Sequence, residues 1–166
     1  MTERLECNGI SAPDEWELYA GADKTSAVNS PDDDDTSDIR GPVGSPPEQQ
    51  RYSLAASAIP AGSTINTVSV STRAKSSGAE GGLIQGLELG GNTTESAPIV
   101  TGGGSVWATT ATALARPGGG AWTLADLASL EVYIKAITGS TYTYVTTIFV
   151  EISYTPPSTG AMLLMF

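Results

Sequence analysis

Tyr142-Thr-Tyr-Val-Thr-Thr-Ile-Phe-Val-Glu-Ile-Ser-Tyr154 decides the fold. From Ile148 on, Ile148, Val150 and Ile152 alternate with Phe149, Glu151 and Ser153, the period of a strand with one buried face. The even positions are expected to face the core, and Pro156-Pro157 stops the strand. Val132-Tyr-Ile-Lys-Ala-Ile137 precedes it across Thr138-Gly-Ser-Thr141, which predicts a hairpin. Further upstream, Ile65 to Lys75 alternates with Val68 and Val70 as apolar markers. The three-residue step from Ile65 to Val68 predicts a bulge or a strand start at Asn66.

The same pattern repeats along the chain. Leu83, Leu87 and Leu89 share one face of a strand that Gly90-Gly-Asn92 closes with a turn. Ala97 to Thr101 and Ser105 to Leu114, rich in Thr, are further strands. Trp16-Glu-Leu-Tyr19 reads as a short strand half-burying Trp16 and Leu18, and Thr36 to Ile39 as an edge strand. One helix is expected near 123–130, where Thr123 caps Leu124, Leu127 and Leu130 with Asp126 three residues on. About eight strands and one short helix predict an all-β fold, an antiparallel β-sandwich of jelly-roll type. The expected organisation is an N-terminal arm over 1–13, a sandwich over 14–156 with an acidic loop over 21–50, and an apolar tail over 157–166.

Composition agrees with this class. The 166 residues include 19 Gly, 10 Pro, 20 Thr and 18 Ser, a loop-rich and hydroxyl-rich makeup. With no histidine, imidazole catalysis and His metal sites fall away. Cys7 is the single cysteine, so neither an intrachain disulfide nor a multi-thiolate zinc site can form, and without a basic partner it reads as a bystander. The net charge is −10, of which −9 falls in residues 1–50. Phosphate backbones repel such a surface, so nucleic acid is not expected as a partner. No stretch approaches the roughly 18 apolar residues of a membrane span, and the charged start lacks the apolar stretch of a secretory signal, so neither membrane nor Sec export is expected.

Several groups are candidates for chemistry. Asp32 to Asp35 with Asp38 could wrap Ca²⁺, with Asp33, Asp35 and Asp38 as ligands, but the spacing is not that of an EF-hand and a solvated acidic loop is the simpler reading. Glu88, Glu95, Glu131 and Glu151 are the carboxylates from which a glycosidase pair would be drawn, although strand alternation puts most on the solvent face. Trp16, Trp107, Trp122 and the tyrosines could line a sugar-binding platform, yet no three aromatics recur at period two on one strand, and core packing is their more frequent use. Met162, Leu163, Leu164, Met165 and Phe166 follow a Pro/Ser/Gly spacer as an apolar peg. It either docks on a partner or folds back on its own sandwich.

The segment from Trp16 through the acidic loop to Asp35-Thr-Ser-Asp-Ile39, then Ile65 to Ala74, Ala121-Trp-Thr-Leu-Ala-Asp-Leu-Ala-Ser-Leu-Glu131 and Thr147 to Tyr154, resembles a family of small virion proteins from tailed bacteriophages. The resemblance spans roughly residues 14 to 155. It implies a non-enzymatic jelly-roll structural protein, a capsid decoration, head-fibre or tail-associated protein assembled in the host cytoplasm. Partners would be other virion proteins, the major capsid or tail protein, and sister subunits in an oligomer, a trimer being favoured. The alternatives that stay open are a carbohydrate-binding β-sandwich module of a tail fibre or receptor-binding kind and a glycosidase or lyase fragment.

Overall fold

A computed structural model describes residues 1–29, 37–41, 48–78, 81–101, 106–137 and 141–158. Among the described residues, eleven antiparallel strands form two sheets facing one another across a single core. The first sheet is organised by β11 (Thr143–Thr155), which pairs along its whole length with β5 (Thr64–Ser76), and β5 pairs with β9 (Ala108–Leu114). On its other edge β11 pairs first with β3 (Asp38–Gly41), flanked by β2 (Glu17–Ala20), and then with the start of β1 (Thr2–Asp14). The second sheet runs from the later half of β1 through β4 (Gln49–Leu54), β10 (Glu131–Ala136) and β6 (Gly82–Leu89) to β7 (Asn92–Glu95) and β8 (Ile99–Val100).

Alternation accounts for the core. Ile148, Val150 and Ile152 of β11, Val68 and Val70 of β5, and Leu83 and Leu87 of β6 are all fully buried between the sheets. Asn66 sits in a bulge, where Thr67 faces Ser153 and Ile65 faces Tyr154. A second bulge in β11, at Thr146 between Val145 and Thr147, reverses which parity faces inward, so Tyr144 points out while Val145 and Ile148 both point in. Buried polar groups bind the layers as well. Gln85 Nε2 of the second sheet donates to Thr72 Oγ1 of the first at 2.9 Å and to the Thr110 carbonyl at 3.0 Å.

Five expectations need correction. The arm over 1–13 is instead β1, which belongs to both sheets: Thr2 to Glu6 pair with β11, and from Cys7 onward the strand pairs with β4. Where it changes sheets, the Asn29 side chain accepts from the Cys7 amide at 3.0 Å and donates to its carbonyl, taking the place of a neighbouring strand. The polar residues of β1 hid a strand whose inward positions are Leu5 and Cys7, both 2% exposed. Second, β10 and β11 form no hairpin, because each pairs within a different sheet and the chain crosses between layers. Third, the acidic region carries a short helix, α1 (Lys24–Val28), capped by Asp23 and burying Ala27 and Val28. Fourth, Leu18 faces solvent, and fifth, the strand expected over 36–39 is β3, which starts two residues later at Asp38 and is held between β2 and β11 rather than at the edge.

The helix expected near 123–130 is a turn of 3₁₀ helix, Leu124–Ala128, with both halves of its capping box formed. The Asp126 carboxylate accepts from the Thr123 amide at 2.8 Å and, bidentately, from Arg116 Nε and Nη2 at 2.9 Å each. The Arg116 hydrogen bonds, with Thr123 assisting, hold its pKa down to about 2. A carboxyl depressed in the folded chain adds stability above its unfolded value, and that stability is lost as pH falls toward about 2. Asp126→Asn is therefore expected to cost about 1–2 kcal/mol at neutral pH and to flatten the acid limb of the stability profile. Urea midpoints at neutral pH and near the acid limit check this.

Candidate functional site

The outward face of the first sheet gathers aromatic and cationic side chains at the end where β11 begins and β5 finishes. Strand register places them. Tyr144 on β11 faces Arg40 of β3 on one side and Lys75 of β5 on the other, and Arg40 in turn faces Glu17 of β2. Cross-strand partners point to the same face, so these four residues form one row across four strands. Tyr142 lies two residues before Tyr144 on the same face. Tyr19 occupies the bulge between Leu18 and Ala20, and Trp107 stands just before β9, where it continues the row past Lys75.

The contacts are continuous. The Tyr19 and Tyr144 rings meet edge to face with centroids 5.2 Å apart, and Tyr142 and Tyr144 lie 6.5 Å apart. The Arg40 guanidinium sits 4.4 Å from the Tyr142 centroid and 5.0 Å from that of Tyr19, and it pairs with Glu17. Lys75 Nζ lies 4.1 Å from the Trp107 centroid and 5.5 Å from that of Tyr144, with the Arg73 guanidinium 5.1 Å from Trp107. Tyr19 is 57% exposed and Tyr142 37%, whereas Trp107 and Tyr144 are half-buried. Three of the chain's eight Lys and Arg residues thus stand among four accessible rings on a protein of net charge −10.

The other aromatics do other work. Trp16 is 1% exposed and belongs to the core, and Trp122 is half-buried in the wall of a separate groove of about 450 Å³ beside Ile65, Leu114 and Arg116. Trp107 and the tyrosines were among the rings the sequence offered for a platform, but their grouping escaped it because they come from three distant segments. The legible part was Tyr142 and Tyr144, an aromatic pair at period two ahead of a bulge.

Three of the four candidate carboxylates are held in ion pairs on the second sheet. Glu131 and Glu88 face one another across β10 and β6, and Arg51 lies between them, its Nη1 2.5 Å from Glu88 and 3.5 Å from Glu131. Glu95 accepts from the Tyr133 hydroxyl at 3.0 Å and from Lys135 at 2.7 Å. Glu151 lies exposed on the first sheet. None of the four lines the groove beside Trp122 or a second one beside Leu54 and Leu127. Asp38 lies on β3 and is 3% exposed, while Asp33, Asp35 and the tail from Met162 to Phe166 lie outside the described residues. Among the described residues no three carboxylate or thiol groups gather as a metal cluster. Burial pushes the Cys7 thiol well above its ordinary pKa, with Glu6 adding to the effect, and its Sγ donates to the Ile148 carbonyl, so Cys7 is core rather than nucleophile.

No family model matches the chain, and no curated protein does. Among solved structures, the CBM36-1 domain of a multidomain xylanase from the hindgut metagenome of Trinervitermes trinervoides is similar at a TM-score of 0.40 and 12% identity. The similarity covers 92% of this chain and 97% of that one. At that score it carries no argument, and the fold and site stand on the chain's own geometry. The resemblance to phage virion proteins draws no support from these comparisons. What the chain presents is an antiparallel β-sandwich with an aromatic, cation-studded face on one sheet.

Proposed function

We propose that the protein is a non-catalytic carbohydrate-binding β-sandwich whose ligand lies across the outward face of the first sheet. The observation that carries the reading is the row Arg40, Tyr144, Lys75 and Trp107, with Tyr19 and Tyr142 beside it: accessible rings on paired strands or one residue from their ends. Sugar rings present flat C–H faces that stack on such side chains, and strand-borne rings cost little ordering on binding. An enzyme would need a convergent set of reactive groups in a cleft. This face offers none, since its polar members are cations with one carboxylate, Glu17, paired to Arg40.

A printed glycan array tests the reading. The chain is expected to bind a subset of glycans, and Trp107→Ala or Tyr144→Ala is expected to weaken that binding about tenfold or more, some 1.4 kcal/mol each, without moving the melting temperature by more than a few degrees. Absence of glycan binding, or binding indifferent to both substitutions, overturns it. In the virion setting implied by the phage resemblance, the same face would read a host-surface glycan. The capsid or tail partner and the trimer expected there are parts of this proposal that cryo-electron microscopy of the native assembly checks.

A further inference from the structure

The cations of this face do not extend into water as surface lysines and arginines ordinarily do. Lys75 Nζ is drawn in beside Trp107 and Tyr144, and the Arg40 guanidinium lies over Tyr142 and Tyr19. A ligand that covers the rings must therefore cover the charges as well. A neutral sugar would strip water from an ammonium and a guanidinium and return only hydroxyl acceptors, which is costly. A carboxylate or sulfate returns charge-assisted hydrogen bonds and offsets that loss.

Spacing narrows the ligand further. Arg40 and Lys75 flank Tyr144 in register on either side, so their strands are two positions apart. Two strand spacings come to about 9–10 Å. Resting on the reading above, we propose that the ligand is an acidic polysaccharide running across the strands, with acidic groups on alternate sugars so that one meets Arg40 and the next meets Lys75 while the intervening ring stacks on Tyr144. Arg73, two residues before Lys75 on β5 and 5.1 Å from the Trp107 centroid, adds positive charge beside the row. A nucleic acid would also bring rings and negative charge, but its charge falls on every residue, and a chain of net charge −10 repels a continuous polyanion more strongly than a sparsely charged one.

Isothermal titration with hyaluronan, whose carboxylates fall on alternate sugars, its carboxyl-reduced neutral counterpart, singly sulfated keratan sulfate, xylan and poly(dT) tests this, with wild type, Lys75→Gln and Tyr144→Ala compared and each variant's fold verified by its melting curve. The expected result is binding of hyaluronan or keratan sulfate about tenfold or more tighter than of the neutral polymers, an advantage that shrinks in high salt and that Lys75→Gln largely removes. The two acidic polymers separate a carboxylate ligand from a sulfate one. Equal binding of the reduced and native polymers, unaffected by Lys75→Gln but abolished by Tyr144→Ala, overturns the charge inference and leaves the sugar platform standing. Binding of no polysaccharide overturns both, as does a preference for poly(dT).

Discussion

Trp16→Ala is expected to cost about 4 kcal/mol of stability, within the range for truncating a buried tryptophan, and to lower the melting temperature by roughly 10 °C. Trp16 is among the largest fully buried side chains, and its ring lies against Gly41, where a Cβ would meet Trp16 Cζ2 at 2.7 Å. The indole Nε1 donates to the Glu48 carbonyl at 3.1 Å, and the Trp16 amide donates to Gln50 Oε1 at 3.2 Å. One side chain thus clamps the start of β2 and the end of β3 against β4. Truncation leaves a cavity that these short strands cannot close without separating from β11, because β3 pairs along its edge and β2 is paired to β3. Since β2 and β3 carry Tyr19 and Arg40, the same change should weaken ligand binding as well, and Trp16→Phe should recover part of both losses. Denaturant titration beside a binding isotherm checks this. A loss under about 1 kcal/mol would mean that the clamp does not hold.

Gly86→Ala is expected to cost about 3 kcal/mol, far more than a methyl group on a strand ordinarily does, from overpacking and an expelled ring. Gly86 faces Tyr133 across β10 and Glu95 across β7. The Tyr133 ring lies flat on the glycine, so an added Cβ would come 2.1 Å from Tyr133 Cζ. That ring is 1% exposed although it sits on the outward face, covered by the Glu95 carboxylate that its hydroxyl reaches at 3.0 Å and flanked by Arg51, 5.8 Å from the ring centroid. An aromatic laid over a strand glycine supplies the packing that the glycine lacks. The methyl would lift the ring and break the Glu95 contact. Tyr133→Ala should be destabilising alone, and the double substitution should cost clearly less than the sum, because once the ring is gone the methyl has nothing to strike. An additive cycle would sink the account.

How legible each part was depended on which interactions shaped it. β5, β6 and β11 declared themselves because one face of each is buried and period two follows directly, and even the Asn66 bulge left its mark as a three-residue step. The Thr123 cap was equally plain, since capping is written within four residues. β1 was hidden because its outward positions, Arg4 and Glu6 among them, are charged and pair with one another. The β10 and β11 pairing was misread because turn residues report that the chain reverses, not whether it returns to the same layer. The platform depends on register between segments far apart in sequence, so its rings looked scattered until Tyr144 was set opposite Lys75 and Arg40.

The sharing of β1 between two sheets also bears on how the chain is made. Thr2 must find Ser153, and Glu6 must find Phe149, before the first sheet is complete. On a ribosome adding roughly 5–20 residues per second, the earliest strand therefore emerges with half its partners still unsynthesised. The second sheet can assemble around the later half of β1 once β10 is out, but the strand that closes the other layer, β11, arrives last. For that interval β5 and the start of β1 lack the strand that joins them, and the inward Leu83, Leu87, Val132 and Ile134 of the second sheet lack Ile148, Val150 and Ile152 of β11, so the nascent chain has a window of vulnerability to aggregation that the finished sandwich, sealed at the same seam, no longer shows.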